Sequence, residues 1–203
     1  MAGKLIIIEG GEGSGKSGVV GQLPARFIKL HEPGDSPVGL KIRRLITETR
    51  QFEPHPMTEL AMFFADRIEL WMTKVYPALE RGEDVILDRS YPSTFAHQYY
   101  TLMGKRDVDL FMSLVHWFGL VDPALLILLD VPAEIGLQRR RRAGSLNKID
   151  RRKIEYHDSV SRGYRYFVRH LHFPAKIIDA RRPKDQVFAA VKRLIIDTTK
   201  EPF

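Results

Sequence analysis

The chain has 203 residues, 44% hydrophobic and 28% charged, which suits one domain with a substantial core. It has no cysteine, so disulfides, thiol nucleophiles and cysteine-based zinc sites are excluded. The formal net charge is +7, yet residues 139–153 alone carry eight Arg or Lys against one Asp, so the surplus is a local basic segment and not a spread nucleic-acid face.

The first apolar run, residues 5–8, reads as a buried strand. It is too short for a signal peptide, and no run reaches the roughly 20 apolar residues of a membrane span, so a cytoplasmic protein is expected. Residues 10–17 follow directly as Gly-Gly-Glu-Gly-Ser-Gly-Lys-Ser. This is the pattern of a phosphate-binding P-loop, set between a strand and a helix start. Backbone N–H groups of Gly11, Glu12, Gly13, Ser14 and Gly15 would cradle phosphate oxygens, helped by the positive end of the helix. Lys16 would reach the outer phosphates of ATP and Ser17 would hold Mg²⁺. Pro24 should end that helix early.

Four more short strands are expected near 27–30, 84–87, 124–129 and 175–178, with helix-period stretches between them. The alternation predicts an α/β fold, a parallel sheet covered by helices on both faces. Pro37 should open a helix with Ile42, Leu45 and Ile46 as its apolar stripe. Residues 58–75 read as a long helix, and Gly82 should close the next helical piece near Arg81. Pro92 should start a helix carrying Phe95 and Tyr100. Residues 107–118 predict a helix with Phe111, Leu114, Val115 and Phe118 as core, and long helices are expected over 150–171 and 184–196. The basic stretch around Gly144 falls between helices and reads as a lid, about 139–153.

Asp88-Arg89 ends the third strand, where residues of a parallel sheet face the ligand crevice. The carboxylate can hold a metal-bound water and the guanidinium can clamp a phosphate; a helix-start ion pair is the plain alternative. Glu32-Pro33-Gly34 follows the second strand, and Arg43 lies on the next helix. Phe63 and Arg67 share a helix face and could hold a planar base; without further context the spacing favours a core Phe beside a surface Arg–Asp pair. Thr94 and Gln98 could read a base edge or cap a helix.

Glu32-Pro33-Gly34-Asp35-Ser36-Pro37, Phe63-Phe64-Ala65-Asp66-Arg67, Asp88-Arg89-Ser90-Tyr91-Pro92-Ser93-Thr94, Leu129-Asp130-Val131-Pro132 and Leu146-Asn147-Lys148-Ile149-Asp150 occur in this order with the P-loop. With these motifs the chain resembles thymidylate kinases of the bacterial type, within the P-loop nucleoside-monophosphate kinases, over nearly its whole length. The resemblance implies one domain over 1–203 with a five-stranded parallel sheet and a basic lid. It implies transfer of the γ-phosphoryl group of ATP, with Mg²⁺, to dTMP or a close 5-substituted deoxyuridine monophosphate. Phe63 would then stack on thymine and Arg67 donate to its O4 edge, with Thr94 and Gln98 near the other polar edge. Arg43 and Arg89 would grip the dTMP phosphate, Glu32 would orient the sugar or an arginine, and Asp88 with Ser17 would hold Mg²⁺. Lys16 and a lid cation, Lys148 by position, would neutralise the phosphoryl group in flight. Arg139 would flank adenine, helped by Arg181.

The family pattern has an arginine where His31 stands, an aromatic at Ser90, a sugar-packing tyrosine at His97 and a lid arginine at Lys148. The P-loop carries Glu12-Gly13 where some members carry an arginine, which implies that the lid supplies the catalytic cation. A homodimer is implied, with the helix around Phe111 and Phe118 as one candidate interface. Two other functions remain open on the residues: a deoxynucleoside kinase acting on the unphosphorylated nucleoside, and a P-loop protein that binds nucleic acid through the basic segment.

Overall fold

The computed structural model describes residues 3–47, 53–144 and 146–201. Its centre is a five-stranded parallel sheet in the order β2-β3-β1-β4-β5. The strands are β1 (Leu5–Glu9), β2 (Ile28–His31), β3 (Val85–Asp88), β4 (Leu125–Asp130) and β5 (Ala175–Asp179). All five lie where the apolar runs predict them. Ile8 stands beside Asp88 on one side and Ile127 on the other, which brings the P-loop and the Asp88-Arg89 turn to the same carboxyl edge.

Alternation along β1 divides its side chains between two cores. Leu5 and Ile7 pack with Phe64, Trp71, Phe95 and Phe111, whereas Ile6 and Ile8 pack with Val19, Ile127, Val187 and Val191. Each of these four β1 residues is at most 4% exposed, so each contributes about 1.5–3 kcal/mol by burial. That two-sided burial is why β1 reads as a continuous apolar run and not as an alternating one.

α1 (Lys16–Gln22) ends just before Pro24, as expected. α2 (Pro37–Thr47) opens at Pro37, but its apolar stripe is thin: Ile46 is buried, Ile42 half-buried and Leu45 38% exposed. α3 (Pro56–Leu70) starts two residues before the predicted helix, where the His55 ring accepts the N–H of Met57 as a cap. It continues through a π-turn (Trp71–Val75) into α4 (Tyr76–Glu80), which Gly82 follows in a left-handed conformation.

α5 (Tyr91–Thr94) passes into a π-wound segment (Phe95–Leu102), and α6 (Val108–Trp117) follows. In α6, Phe111 and Val115 are buried, Leu114 and Phe118 are half-buried against the same core, and Leu110 and Trp117 are exposed. α7 (Ala133–Arg142) carries the four consecutive arginines in its last turn. α8 (Ile154–Arg169) begins later than predicted, because Asn147 and Asp150 bond each other's backbone N–H groups at 2.9 Å and hold a turn in place of helix. α9 (Lys184–Thr199) closes the chain on β5. Among the described residues no helix is long and apolar enough to cross a membrane.

Candidate active site

A cleft of about 960 Å³ runs along the carboxyl edge of the sheet, where an open α/β sheet binds its ligands. Its lining includes the P-loop, Arg139 and Arg181, then Asp88 and Arg89, and also Arg43, Phe63, Thr94, His97 and Gln98. One cavity therefore joins most of the residues that the motifs point to.

The P-loop is held against α7 by two glycines. Gly13 has φ +69°, and a Cβ there would stand 2.0 Å from the Gly136 carbonyl oxygen. A Cβ on Gly136 would in turn stand 2.1 Å from the Glu12 carbonyl oxygen. Gly136 was not foreseen as a site residue, because its requirement is a neighbour 123 positions earlier in the chain. Lys16 folds back on the loop: its ammonium donates to the carbonyls of Gly10 at 2.6 Å and Gly11 at 3.1 Å, and to Ser14 Oγ at 3.3 Å. Burial and then the Arg89 charge lower its pKa to about 8, against the opposing pull of Asp88, Glu12 and Glu9.

The Ser17 hydroxyl donates to Asp88 Oδ2 at 2.8 Å, and Asp88 Oδ1 is buried without a hydrogen-bond partner among the described residues. Burial raises the Asp88 pKa, but the His31 imidazole, Lys16 and Arg89 outweigh it and hold the carboxyl well below its usual range. His31 Nδ1 lies 3.6 Å from Asp88 Oδ2.

Arg89 sits at φ 72°, an uncommon backbone for a side-chain-bearing residue. Its guanidinium donates to Glu12 Oε1 at 2.7 Å, to the Gly10 carbonyl at 3.2 Å, and to Ser93 Oγ and the Tyr164 hydroxyl, both at 3.1 Å. Burial opposes ionisation of Glu12, yet Arg89 and Lys16 lower its pKa to about 2. Glu9, wholly buried, takes the N–H groups of Ser90 and Ser93 and the Ser93 hydroxyl, which shapes the turn that carries Arg89. A lone carboxylate ending an apolar strand was the only sequence signal of that role; Tyr164 had none.

Phe63 lines the cleft while its neighbour Phe64 enters the core. Arg67 is 1% exposed and lies behind the cleft wall. This geometry replaces the alternative of a core Phe beside a surface Arg–Asp pair. Arg67 Nε donates to Glu32 Oε2 at 2.7 Å, Nη2 donates to Thr94 Oγ1 at 3.1 Å, and Nη1 has no hydrogen-bond partner among the described residues. Glu32 does not line the cleft. Its carboxylate also receives Trp71 Nε1 at 3.0 Å and Ser90 Oγ at 3.3 Å, so of its two expected roles the geometry favours orienting an arginine over contacting a sugar. Burial pushes its pKa up to about 7 despite Arg67. Arg43 Nη1 donates to the Pro33 carbonyl at 3.1 Å. His97 is buried, with Nδ1 2.9 Å from the Tyr156 hydroxyl, and burial lowers its pKa to about 3. Gln98 is 2% exposed at the cleft wall.

The lid cation expected at Lys148 lies elsewhere: its ammonium pairs with Glu53 at 3.6 Å, and it is not among the cleft residues. Arg152 likewise turns away, toward Glu59 at 3.9 Å and the Tyr156 ring. The basic side chains that do line the cleft from the lid region are Arg139, Arg140 and Arg142 at the end of α7. Arg140 is fixed by a two-pronged pair with Asp150, at 3.1 Å from Nε and 2.9 Å from Nη2. Arg139 Nη1 donates to the Ala180 carbonyl at 2.9 Å, and the Arg181 guanidinium is held by Asp179. Ser145, inside the lid stretch, lies outside the described residues.

The family model described as thymidylate kinase matches residues 8–191. A thymidylate kinase of Carboxydothermus hydrogenoformans is 34% identical over 203 residues, covering 95% of this chain and 96% of that protein. A thymidylate kinase of Chlamydia caviae is 36% identical over 189 residues, covering 89% and 91%. One from Roseiflexus sp. is 32% identical and covers 96% of each. With the P-loop, the Asp88-Arg89 turn and Phe63 gathered on one cleft and Arg67 behind its wall, the chain belongs to the thymidylate kinase family.

Proposed function

We propose that this protein transfers the γ-phosphoryl group of ATP to the 5′-phosphate of dTMP, giving dTDP and ADP. The observation that carries the reading is that Arg43 and Arg89 line the same cleft as the P-loop and Lys16. Guanidiniums from outside the P-loop suit an acceptor that is already anionic. Asp88 is engaged by Ser17 and Glu12 by Arg89, and both carboxyls are held below their usual range, which makes each a weak base for a nucleoside hydroxyl. This argues against the deoxynucleoside kinase alternative.

The P-loop amides and Lys16 hold the triphosphate, and Arg139 and Arg181 frame the adenine. Phe63 stacks on the acceptor base. The partnerless Nη1 of Arg67, kept in place by Glu32 and Thr94, supplies a donor for a base carbonyl. A phosphate oxygen needs no strong base, so positioning and charge neutralisation carry the rate. The charge on the transferring group is met by Lys16 and Arg89, with Arg140 or Arg142 as the lid contribution.

Ser17 Oγ and the partnerless Asp88 Oδ1 are hard oxygen donors of the kind Mg²⁺ takes. No cluster of three or more metal-ligating side chains exists among the described residues, which fits a metal that arrives with the phosphates. Mg²⁺ bound there would neutralise phosphate charge. A homodimer is the assembly we favour, through the exposed Leu110 and Trp117 face of α6 rather than its buried Phe111 face. Sedimentation of Trp117→Glu as a monomer would support that surface, and an unchanged dimer would exclude it.

The functional test is a panel of nucleoside monophosphates and nucleosides with ATP and Mg²⁺, followed by ADP release. The highest kcat/KM is expected for dTMP. ADP release independent of any acceptor would contradict the reading.

A further inference from the structure

A second, much smaller cavity of about 10 Å³ lies behind the P-loop. Gly11 and Glu12 form one wall, His97 another, and His157 and Ser161 of α8 a third, with apolar side chains closing the rest. The fit is close: a Cβ placed on Gly11 would stand 4.0 Å from Ser161 Oγ. His97 and His157 are 6% and 4% exposed, and the Nε2 atom of each reaches no hydrogen-bond partner among the described residues. A buried polar atom without a partner is costly, and two on one cavity call for a shared partner.

His97 Nδ1 meets the Tyr156 hydroxyl at 2.9 Å, so Nε2 is the ring nitrogen left to face the cavity. Burial lowers the pKa of both rings and favours neutral imidazoles, whose Nε2 either donates or accepts. Two polar atoms thus face the same space, which is at the lower limit for one water, about 10–15 Å³.

We propose that this cavity holds a single ordered water hydrogen-bonded to Nε2 of both His97 and His157. The water ties α8, through His157, to His97 and to the P-loop wall formed by Gly11 and Glu12. His157 is then a positioning residue, setting α8 against the phosphate cradle without touching substrate.

A crystal structure of the full chain that resolves ordered water, with ¹⁵N NMR of the imidazoles, tests the site. The expected result is a water about 2.7–3.2 Å from both Nε2 atoms, with both imidazoles neutral. A dry cavity, or a direct imidazole–imidazole hydrogen bond, overturns the proposal. The positioning role rests on the phosphotransfer reading and has its own readout. His157→Gln keeps a donor and an acceptor and should hold KM for ATP within about twofold, whereas His157→Leu should raise it about tenfold with kcat less affected. Equal KM values for the two variants at equal melting temperature overturn the positioning role. A wild-type chain without kinase activity overturns the functional reading instead, and the water arm of the test stands apart from it.

Discussion

Arg67 Nε donates a 2.7 Å hydrogen bond to Glu32 Oε2, and the two side chains are 1% and 2% exposed. The pair spans the fold from α3 to the loop after β2 and stands directly behind Thr94 in the cleft wall. It sets a guanidinium that would otherwise have several rotamers. Truncating one partner leaves the other charge buried and uncompensated, so Glu32→Ala should cost about 3–5 kcal/mol of stability. Arg67→Ala should weaken dTMP more than ATP. Urea unfolding and separate KM measurements check both. Arg67→Ala losing ATP and dTMP equally would contradict its base-facing role.

Asp88→Asn keeps the shape of the side chain but removes the charge opposite Ser17. It should lower kcat by on the order of 100-fold, the scale of losing one preorganised electrostatic contact, while the melting temperature changes little. Titrating Mg²⁺ should show a higher requirement than wild type. An unchanged Mg²⁺ dependence would remove Asp88 from the metal site.

Gly136→Ala tests a contact that lies outside every phosphate-binding motif. The added Cβ would meet the Glu12 carbonyl oxygen at 2.1 Å, and that oxygen belongs to the backbone of the P-loop. The P-loop must move, so KM for ATP should rise, with a stability loss of about 1–3 kcal/mol. Wild-type ATP affinity would show that α7 does not set the loop.

Lys16 gives the pH dependence. Its pKa in the free protein is lowered to about 8, first by burial and then by Arg89. The cationic form is the one that binds phosphate, and a lowered pKa means that this charge is lost earlier as pH rises. Below about pH 8 the ammonium is retained, so kcat/KM for ATP should be level there and fall through and above about pH 8. The profile of kcat should fall at higher pH, because bound phosphate favours the cation. A kcat/KM that stays level to pH 10 would contradict this, on an assay range of about two units above that pKa.

The strands were legible because a parallel sheet buries both faces: β1 and β4 are near-continuous aliphatic runs of strand length. The P-loop was legible because its glycines and Lys16 act through local backbone geometry. The π-wound segment at Phe95–Leu102 was not, since the period that marks a helix does not distinguish its looser winding. It nevertheless carries His97 and Gln98 to the cleft. Lys148 looked like the lid cation by position alone. Its pairing with Glu53 depends on a neighbour 95 residues away, which no local pattern encodes. The burial of Arg67 was equally hidden, because only the fold brings Glu32 and Thr94 around it.

The central claim is that the acceptor is a phosphate and not a hydroxyl. Its most direct measurement is product identification after incubation with ATP, Mg²⁺ and either dTMP or thymidine, with Lys16→Ala as the control. The expected result is dTDP and ADP in equal amounts from dTMP, no product from thymidine, and no turnover by a folded Lys16→Ala protein. Formation of dTMP from thymidine, or wild-type turnover by Lys16→Ala, would contradict it.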